Sequence, residues 1–173
     1  MRMKLGLIAA SLLTIATVAF AGEDGNLLQL GRYYVKTGQL EFAYMQFRGI
    51  VVQYPDSPYR EEAFFATGEY FAKLANYKEA QIYFEQFLKE YPSSKYKIFA
   101  LAYLYKIAET SDDAPAMEKL KNDIVTFHQV GLIFRDSKVF KQKSPLHRMH
   151  RAVIQIDKIT IYCEGEILAE IPY

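Results

Sequence analysis

The sequence predicts a mainly α-helical protein, an α-solenoid of about three helix pairs with a small β-hairpin at its C-terminal end. Three observations predict this fold: a seven-residue phrase that occurs twice, apolar residues at helical spacing around it, and alternating apolar residues near the C-terminus. The phrase reads QYPDSPY at 53–59 and EYPSSKY at 90–96, and its copies lie 37 residues apart. A repeat on this scale indicates one supersecondary unit used more than once.

The residues that recur 37 positions apart suit a pair of antiparallel helices. Small residues let two helix backbones approach closely, aromatic residues fill the space between units, and proline ends the second helix. The matched pairs are Gly31 and Gly68, Tyr34 and Phe71, Ala43 and Ala80, Phe47 and Phe84, Pro55 and Pro92, Ser57 and Ser94, Tyr59 and Tyr96, and Ala63 and Ala100.

Helix boundaries are predicted from the spacing and from the helix-breaking residues. Apolar residues recur at steps of two to four in both copies, which favours amphipathic helices. Breaks are expected near residues 37–38, 54–55, 75–76, 91–92 and 111–113. The serines of the repeated phrase are typical N-terminal caps, so we expect them to cap the helices that follow.

A third copy begins and then decays. Leu101 and Leu104 match the pattern, but Met117, Lys121 and Gln129 stand where alanine, phenylalanine and proline are expected. An atypical last unit is typical of a solenoid end, because it has no neighbour to cover its outer face. We therefore predict a helical repeat domain over residues 22–129.

These residues resemble the tetratricopeptide repeat pattern. The first copy offers Leu27, Leu30, Gly31, Tyr34, Ala43, Phe47, Ile50 and Pro55, and the second offers Phe64, Thr67, Gly68, Phe71, Ala80, Phe84, Phe87 and Pro92. The sequence of these copies is most similar to that of the periplasmic tetratricopeptide proteins of Gram-negative envelopes. These include the lipoprotein subunit of the outer-membrane β-barrel assembly machinery and the cell-division coordinator associated with the Tol–Pal system. The resemblance covers residues 27–110.

The resemblance implies a protein-binding adaptor or scaffold in outer-membrane biogenesis that holds a partner peptide or helix in a concave groove. The first helix of each unit would line that groove, which gives ten candidate binding residues: Leu28, Arg32, Val35, Lys36, Phe65, Glu69, Lys73, Phe99, Lys106 and Glu109. The alternative is a structural homo-oligomer of the envelope, which assembles by self-association through its C-terminal β edge.

Residues 1–21 have the pattern of a cleavable signal peptide. Arg2 and Lys4 precede an apolar run, and Ala19-Phe20-Ala21 provides the small residues that a signal peptidase needs. We expect a periplasmic protein that begins at Gly22, with secretion as the alternative location. A lipoprotein would have cysteine in place of Gly22, so no lipid anchor and no transmembrane span are expected in the mature chain.

The charge balance argues against nucleic acid as a partner. Without the signal peptide, 19 basic and 20 acidic residues remain. The one basic stretch lies in residues 130–151, which we interpret as a connecting segment with a solvated face or with a contact to an anionic surface. Its charged residues are Arg135, Asp136, Lys138, Lys141, Lys143, Arg148 and Arg151.

The C-terminal element, 152–173, is predicted to contain a β-hairpin. With Cys163-Glu164-Gly165 as a three-residue loop, the alternation places one apolar set on the same face. This set is Ile159, Ile161, Ile167, Ala169 and Ile171. A lone hairpin is marginal in water, so we expect it to dock on the helices, to gain a third strand at 153–156, or to pair with another chain.

No catalytic set, cofactor motif or metal motif is recognised, so we expect no enzyme activity, no cofactor and no metal. One alternative is a metal site formed by His147 and His150 with Cys163 or His128. The other is Cys163 as a nucleophile, which needs a neighbouring base. As the single cysteine, Cys163 is either free or paired with another chain.

Overall fold

The computed structural model describes residues 22–128, 137–155 and 157–173, and the predicted signal peptide lies outside them. The helices are α1 Glu23–Lys36, α2 Leu40–Gln53, α3 Arg60–Lys73, α4 Tyr77–Glu90, α5 Lys97–Thr110 and α6 Ala114–His128. They pack as three consecutive pairs, α1–α2, α3–α4 and α5–α6. Neighbouring pairs contact each other through α2 with α3 and through α4 with α5. This confirms the predicted mainly α-helical fold with three helix pairs.

The repeated glycines allow the close packing inside the first two pairs. A Cβ atom built on Gly31 would lie 2.7 Å from the Phe47 ring, and one built on Gly68 would lie 2.7 Å from the Phe84 ring. Such distances are too short for any side chain, so each phenylalanine ring lies directly on a glycine of the partner helix. The two copies therefore build the same helix pair.

The repeated phrase closes each pair through its serine. Ser57 Oγ donates a hydrogen bond to Asp24 Oδ2 at the start of α1, and Ser94 Oγ donates one to Glu61 Oε1 at the start of α3, both at 2.6 Å. Each serine oxygen also accepts a bond from the backbone N–H two residues later, at 3.1 and 2.9 Å. The helices that follow begin without a side-chain cap, so the serines close turns instead of capping helices as predicted.

The C-terminal part is a four-stranded antiparallel sheet. Its strands are β1 Ser137–Lys143, β2 Met149–Gln155, β3 Lys158–Cys163 and β4 Glu166–Pro172, in the order β1-β2-β3-β4. The predicted hairpin is β3–β4. Residues 153–155 of the suggested third strand are part of β2, and residue 156 lies outside the described residues. The turn of the hairpin has two residues, Glu164 and Gly165, at φ 56° and 91°, where a three-residue loop was expected.

One residue of the predicted apolar face lies on the opposite side. Ile159, Ile161, Ala169 and Ile171 are buried, but Ile167 is 57% exposed. The pairing runs from Ile161–Ala169 to Tyr162–Ile167, so one extra residue of β4 interrupts the alternation. Such a bulge reverses the face of the residues beyond it, which explains the exposure of Ile167.

Strand β1 and the start of β2 lie in the segment interpreted as a basic connection. Lys141 and Lys143 are exposed on β1, an edge strand, where lysines discourage pairing with other chains. Arg151 of β2 instead covers the ring of its cross-strand neighbour Tyr162 at 4.2 Å. Arg135 and Asp136 lie outside the described residues.

The sheet packs on the helices through β2 and β4, both of which contact α5. Its buried residues, among them Ala152, Ile154 and Ile161, belong to the same apolar cluster as the helical core. The hairpin therefore docks on the helices, one of the outcomes expected for it. Across the described residues, no helix is both long enough and apolar enough to span a membrane.

Candidate functional site

The ten predicted groove residues lie on α1, α3 and α5, the first helices of the three pairs. Half of them are buried: Leu28, Val35, Phe65, Glu69 and Phe99. The other half are exposed: Arg32, Lys36, Lys73, Lys106 and Glu109. Burial in this set is greatest at the centre of the face, which a partner in the groove would need to reach.

The chain's own sheet covers the centre of this face. His150 of β2 lies between two of the groove aromatics, with its ring centre 5.8 Å from that of Phe65 and 5.0 Å from that of Phe99. Leu146, in the turn between β1 and β2, joins the buried apolar cluster. Phe65, Glu69 and Phe99 therefore contact His150 of the chain's own sheet, at the place where a partner in the groove would bind.

A buried polar cluster forms where the sheet meets α3 and α5. His150 Nε2 lies 3.1 Å from Glu69 Oε1 and 3.1 Å from the Tyr103 hydroxyl oxygen. That hydroxyl also lies 3.2 Å from Glu69 Oε1 and 3.5 Å from Cys163 Sγ. Arg148 Nη1 donates to the same hydroxyl at 3.0 Å. We call Glu69, Tyr103, His150 and Cys163 the polar cluster, with Arg148 at its side.

Burial and mutual contact shift the acid–base behaviour of the polar cluster. Burial alone lowers the pKa of His150, but hydrogen bonds to Cys163 and Glu69 and the Glu69 charge raise it to about 9. Burial raises the pKa of Tyr103, and the Glu69 charge raises it further. In the described part of the chain, Glu69 Oε2 and His150 Nδ1 are buried and have no hydrogen-bond partner. Such unpaired buried atoms are costly unless something else binds them.

The geometry does not support Cys163 as a catalytic nucleophile. A nucleophile–base–acid triad needs its cysteine and its carboxylate on opposite nitrogens of the imidazole. Here Glu69 approaches Nε2, and Nδ1 has no partner within the described ranges. The thiol is also only 5% exposed, so a substrate would not reach it.

The exposed groove residues form ion pairs or surround the edge of the sheet. Arg32 donates to Glu62 at 2.9 Å, and Lys106 donates to Glu109 at 2.6 Å. Lys73 lies on the rim of a cavity of about 430 Å³ that His147 also lines. Burial lowers the pKa of His147, and nearby cations lower it further. The metal site suggested by the sequence placed His147 and His150 together. The structure places His150 in the polar cluster and His147 outside it. The His128 side chain lies outside the described residues.

A second surface, which sequence reasoning missed, lies between α4 and α6. A groove of about 430 Å³ runs between these helices, with α5 as its floor. Its apolar residues are Leu88, Leu101, Leu104, Ile107, Ala108, Ala116 and Leu120, and its charged rim consists of Glu85, Lys89, Asp113, Lys119 and Asp123. We call this the α4–α6 groove.

The repeat explains why the groove exists. Shifted back by 37 residues, the groove positions Gln81, Leu101, Ala108 and Leu120 become Tyr44, Phe64, Phe71 and Tyr83. These four aromatic side chains fill the equivalent space between α2 and α4, with ring centres 5.2 Å apart for Tyr44–Phe71, 5.7 Å for Phe64–Tyr83 and 5.4 Å for Phe71–Tyr83. The smaller residues of the second set leave the space open. The groove could have been predicted from the sequence by aligning the copies and noting the positions where an aromatic residue of one copy is replaced by a smaller residue in the next.

Comparison with known families agrees with the repeat. A tetratricopeptide repeat model matches residues 62–94, which include the pattern residues of the second copy from Phe64 to Pro92 and the first five residues of its phrase EYPSSKY. A search of curated proteins finds no match to this chain. The chain thus contains a tetratricopeptide repeat within a set of helical repeats. Domains of this kind generally mediate protein–protein interaction and are typically non-catalytic scaffolds.

Proposed function

We propose that this chain is a non-catalytic protein-binding adaptor, exported from the cytoplasm, that acts in biogenesis of the bacterial envelope. The observation that carries the binding part is the α4–α6 groove, an apolar space that the same chain fills with its own aromatic rings at the equivalent place one unit earlier. Export and the envelope rest on the signal-peptide pattern of 1–21 and on the resemblance to periplasmic tetratricopeptide proteins.

The groove favours an amphipathic partner segment with aromatic or leucine side chains. The missing volume corresponds to the rings of Phe71 and Phe64, because Ala108 and Leu101 stand at their positions. Apolar side chains of a partner would restore that packing and leave water, which favours binding. The rim has both charge signs, with Glu85 and Asp123 as well as Lys89 and Lys119, so a partner helix with mixed charges on its flanks fits.

The face of the first helices remains a second candidate for the partner. Its exposed residues Lys36 and Lys73 lie beside the turn that carries His147 and Leu146. A partner peptide there would bind along the border of the sheet, because the sheet covers the centre. Photo-crosslinking from Lys73 would test this candidate, and the absence of any specific product there would exclude it.

The alternative function is a homo-oligomeric envelope protein that assembles through β4. It is favoured by the exposed Ile167 on this edge strand of the sheet. Equilibrium ultracentrifugation of the mature chain distinguishes the two. A stable dimer that Ile167→Lys dissociates would favour assembly, and a monomer at all concentrations would exclude it.

The adaptor proposal is tested by photo-crosslinking in intact cells with matched positions. A photoreactive residue is placed at Glu85 in the α4–α6 groove or at Arg48, the exposed equivalent one unit earlier. We expect Glu85 to capture a specific envelope protein that Arg48 does not, identified by mass spectrometry. Components of β-barrel assembly or of the Tol–Pal system would support the envelope role, and only cytoplasmic proteins would contradict it.

A control variant closes the groove. In Ala108→Phe the new ring occupies the space that Phe71 fills one unit earlier, so the Glu85 product should disappear while the protein stays folded. An unchanged product in Ala108→Phe, or equal capture from Arg48, would overturn the assignment of the groove.

A further inference from the structure

The polar cluster brings together side chains from four elements that are distant in sequence. Glu69 comes from α3, Tyr103 from α5, His150 from β2 and Cys163 from β3. One ligand atom each from Glu69, His150 and Cys163 lies within 4.8 Å of the others. Glu69 and His150 are both 0% exposed. The proposed protein-binding function uses none of these side chains.

Four of the six distances between these ligand atoms are those of a tetrahedral metal site: 3.1 Å from His150 Nε2 to Glu69 Oε1, 3.1 and 3.2 Å from these atoms to the Tyr103 oxygen, and 3.5 Å from that oxygen to Cys163 Sγ. The remaining two, from Cys163 Sγ to Glu69 and to His150, are at most 4.8 Å. The centre of a tetrahedron with such edges lies about 2 Å from each corner, close to the length of zinc–nitrogen and zinc–oxygen bonds. Zinc prefers four ligands in this arrangement.

The kinds of donor atom also select the metal. A thiolate and an imidazole favour Zn²⁺ and related transition ions over Mg²⁺ or Ca²⁺, which prefer oxygen atoms alone. Structural zinc sites are closed and four-coordinate, and this cluster lies under the sheet.

Charge balance is consistent with a bound divalent ion. Arg148 donates to the Tyr103 oxygen and stabilises negative charge there. The two charges of a divalent ion and the charge of Arg148 together balance a carboxylate, a thiolate and a phenolate, which is what a buried site requires.

An unpaired oxygen atom in the polar cluster also points to a bound ion. Glu69 Oε2 is fully buried and has no partner in the described residues, although its sister oxygen Oε1 contacts both His150 and Tyr103. A carboxylate binds a metal through one or both oxygens, so an ion at the centre of the cluster would use this carboxylate more fully than hydrogen bonds do.

We propose that Glu69, Tyr103, His150 and Cys163 bind one divalent transition-metal ion, and that this ion is Zn²⁺. The bound ion links the C-terminal sheet to α3 and α5. Binding requires that the thiol, the phenol and the imidazole be deprotonated, so it releases their protons to solvent. The ion stabilises the folded chain because the unfolded chain cannot present the four ligands together.

Cobalt titration of the full mature chain tests this site directly, because a cobalt–thiolate bond produces a charge-transfer absorption band in the near ultraviolet. We expect this band to saturate at one Co²⁺ per chain and to disappear when Zn²⁺ is added. We also expect Zn²⁺ to raise the melting temperature and a chelator to reverse the rise. No thiolate band in the folded wild-type protein at saturating Co²⁺ would overturn the proposal, whatever any variant does.

One variant and one matched control test the cysteine ligand. Cys163→Ser should lose the thiolate band and the effect of Zn²⁺ on the melting temperature. His147→Gln is the matched control: it changes a neighbouring histidine outside the polar cluster and should keep both. Stabilisation by Zn²⁺ that persists in Cys163→Ser, or a thiolate band that His147→Gln abolishes, would contradict the proposed ligand set. Circular dichroism of each variant verifies that it is folded.

Discussion

The two junctions between helix pairs use the same repeat positions and differ in how those positions are filled. At the first junction, which spans α2, α3 and α4, Tyr44, Phe64, Phe71 and Tyr83 pack their rings together. At the second junction, which spans α4, α5 and α6, the equivalent side chains are smaller and a groove remains. The comparison teaches that helix arrangement and surface shape are separate properties of a repeat: shared small residues set the first, and the volume of a few side chains sets the second.

The largest effect is expected from making the first junction resemble the second. The double variant Phe64→Leu with Phe71→Ala copies the residues of the second junction and removes aromatic packing around Tyr44 and Tyr83. We expect its free energy of unfolding to fall by about 3–5 kcal/mol, measured by urea denaturation. Met45→Ala, at an exposed position of α2, is the control and should change stability by less than about 0.5 kcal/mol. A loss below that of the control would show that the rings do not stabilise this junction.

The opposite change should fill the second junction. Leu101→Phe with Ala108→Phe copies the first junction and places two rings in the α4–α6 groove. Filling an apolar space should raise the free energy of unfolding by about 0.5–2 kcal/mol. Thermal and urea unfolding measure this change, and a marked loss of stability would mean that the groove cannot accept the rings of its equivalent.

A smaller difference is expected between the serines of the two phrases. Ser57 and Ser94 make equivalent bonds to Asp24 and Glu61, but Ser94 is buried and Ser57 is only half-buried. Ser94→Ala should cost about 1–2 kcal/mol, because water cannot easily replace a bond lost at the buried serine, and Ser57→Ala should cost less. Urea denaturation of both variants in parallel checks the order, and an equal loss would remove burial as the cause.

The smallest effect concerns the ion pair of Arg60 and Glu90, which links the two helices of the second pair. A hydrogen bond from Arg60 lowers the pKa of Glu90 despite partial burial. The stabilisation by the ionised Glu90 carboxylate is therefore fully present above the pKa that Glu90 has in the unfolded chain. It is lost as the pH falls through the lower pKa that Glu90 has in the folded chain. Glu90→Gln should cost about 0.2–1 kcal/mol at neutral pH and less in acid. Urea titrations at both pH values measure this, and a cost that stays constant into acid would contradict the assignment.

Residues near one another in sequence carried most of the fold prediction. Gly31 with Phe47 and Gly68 with Phe84 form the contacts that the repeat indicates, because the helices of a pair are joined by short turns and must pack on each other. The alternation at 159–171 predicts the hairpin for the same reason. Strand β1 was missed because its lysines suit a solvated face as well as an exposed edge strand.

The site depended on contacts that no local pattern encodes. The sequence by itself determined the helix pairs, the two equivalent junctions and the hairpin, since helical period, glycine contacts and strand alternation act over a few residues or across one turn. Only the tertiary structure decided that the sheet covers the first helices, that Glu69 is buried against His150, and that Tyr103 and Cys163 join them. The physical reason is that burial belongs to a surface and its cover together, and the cover here begins more than 60 residues after Glu69.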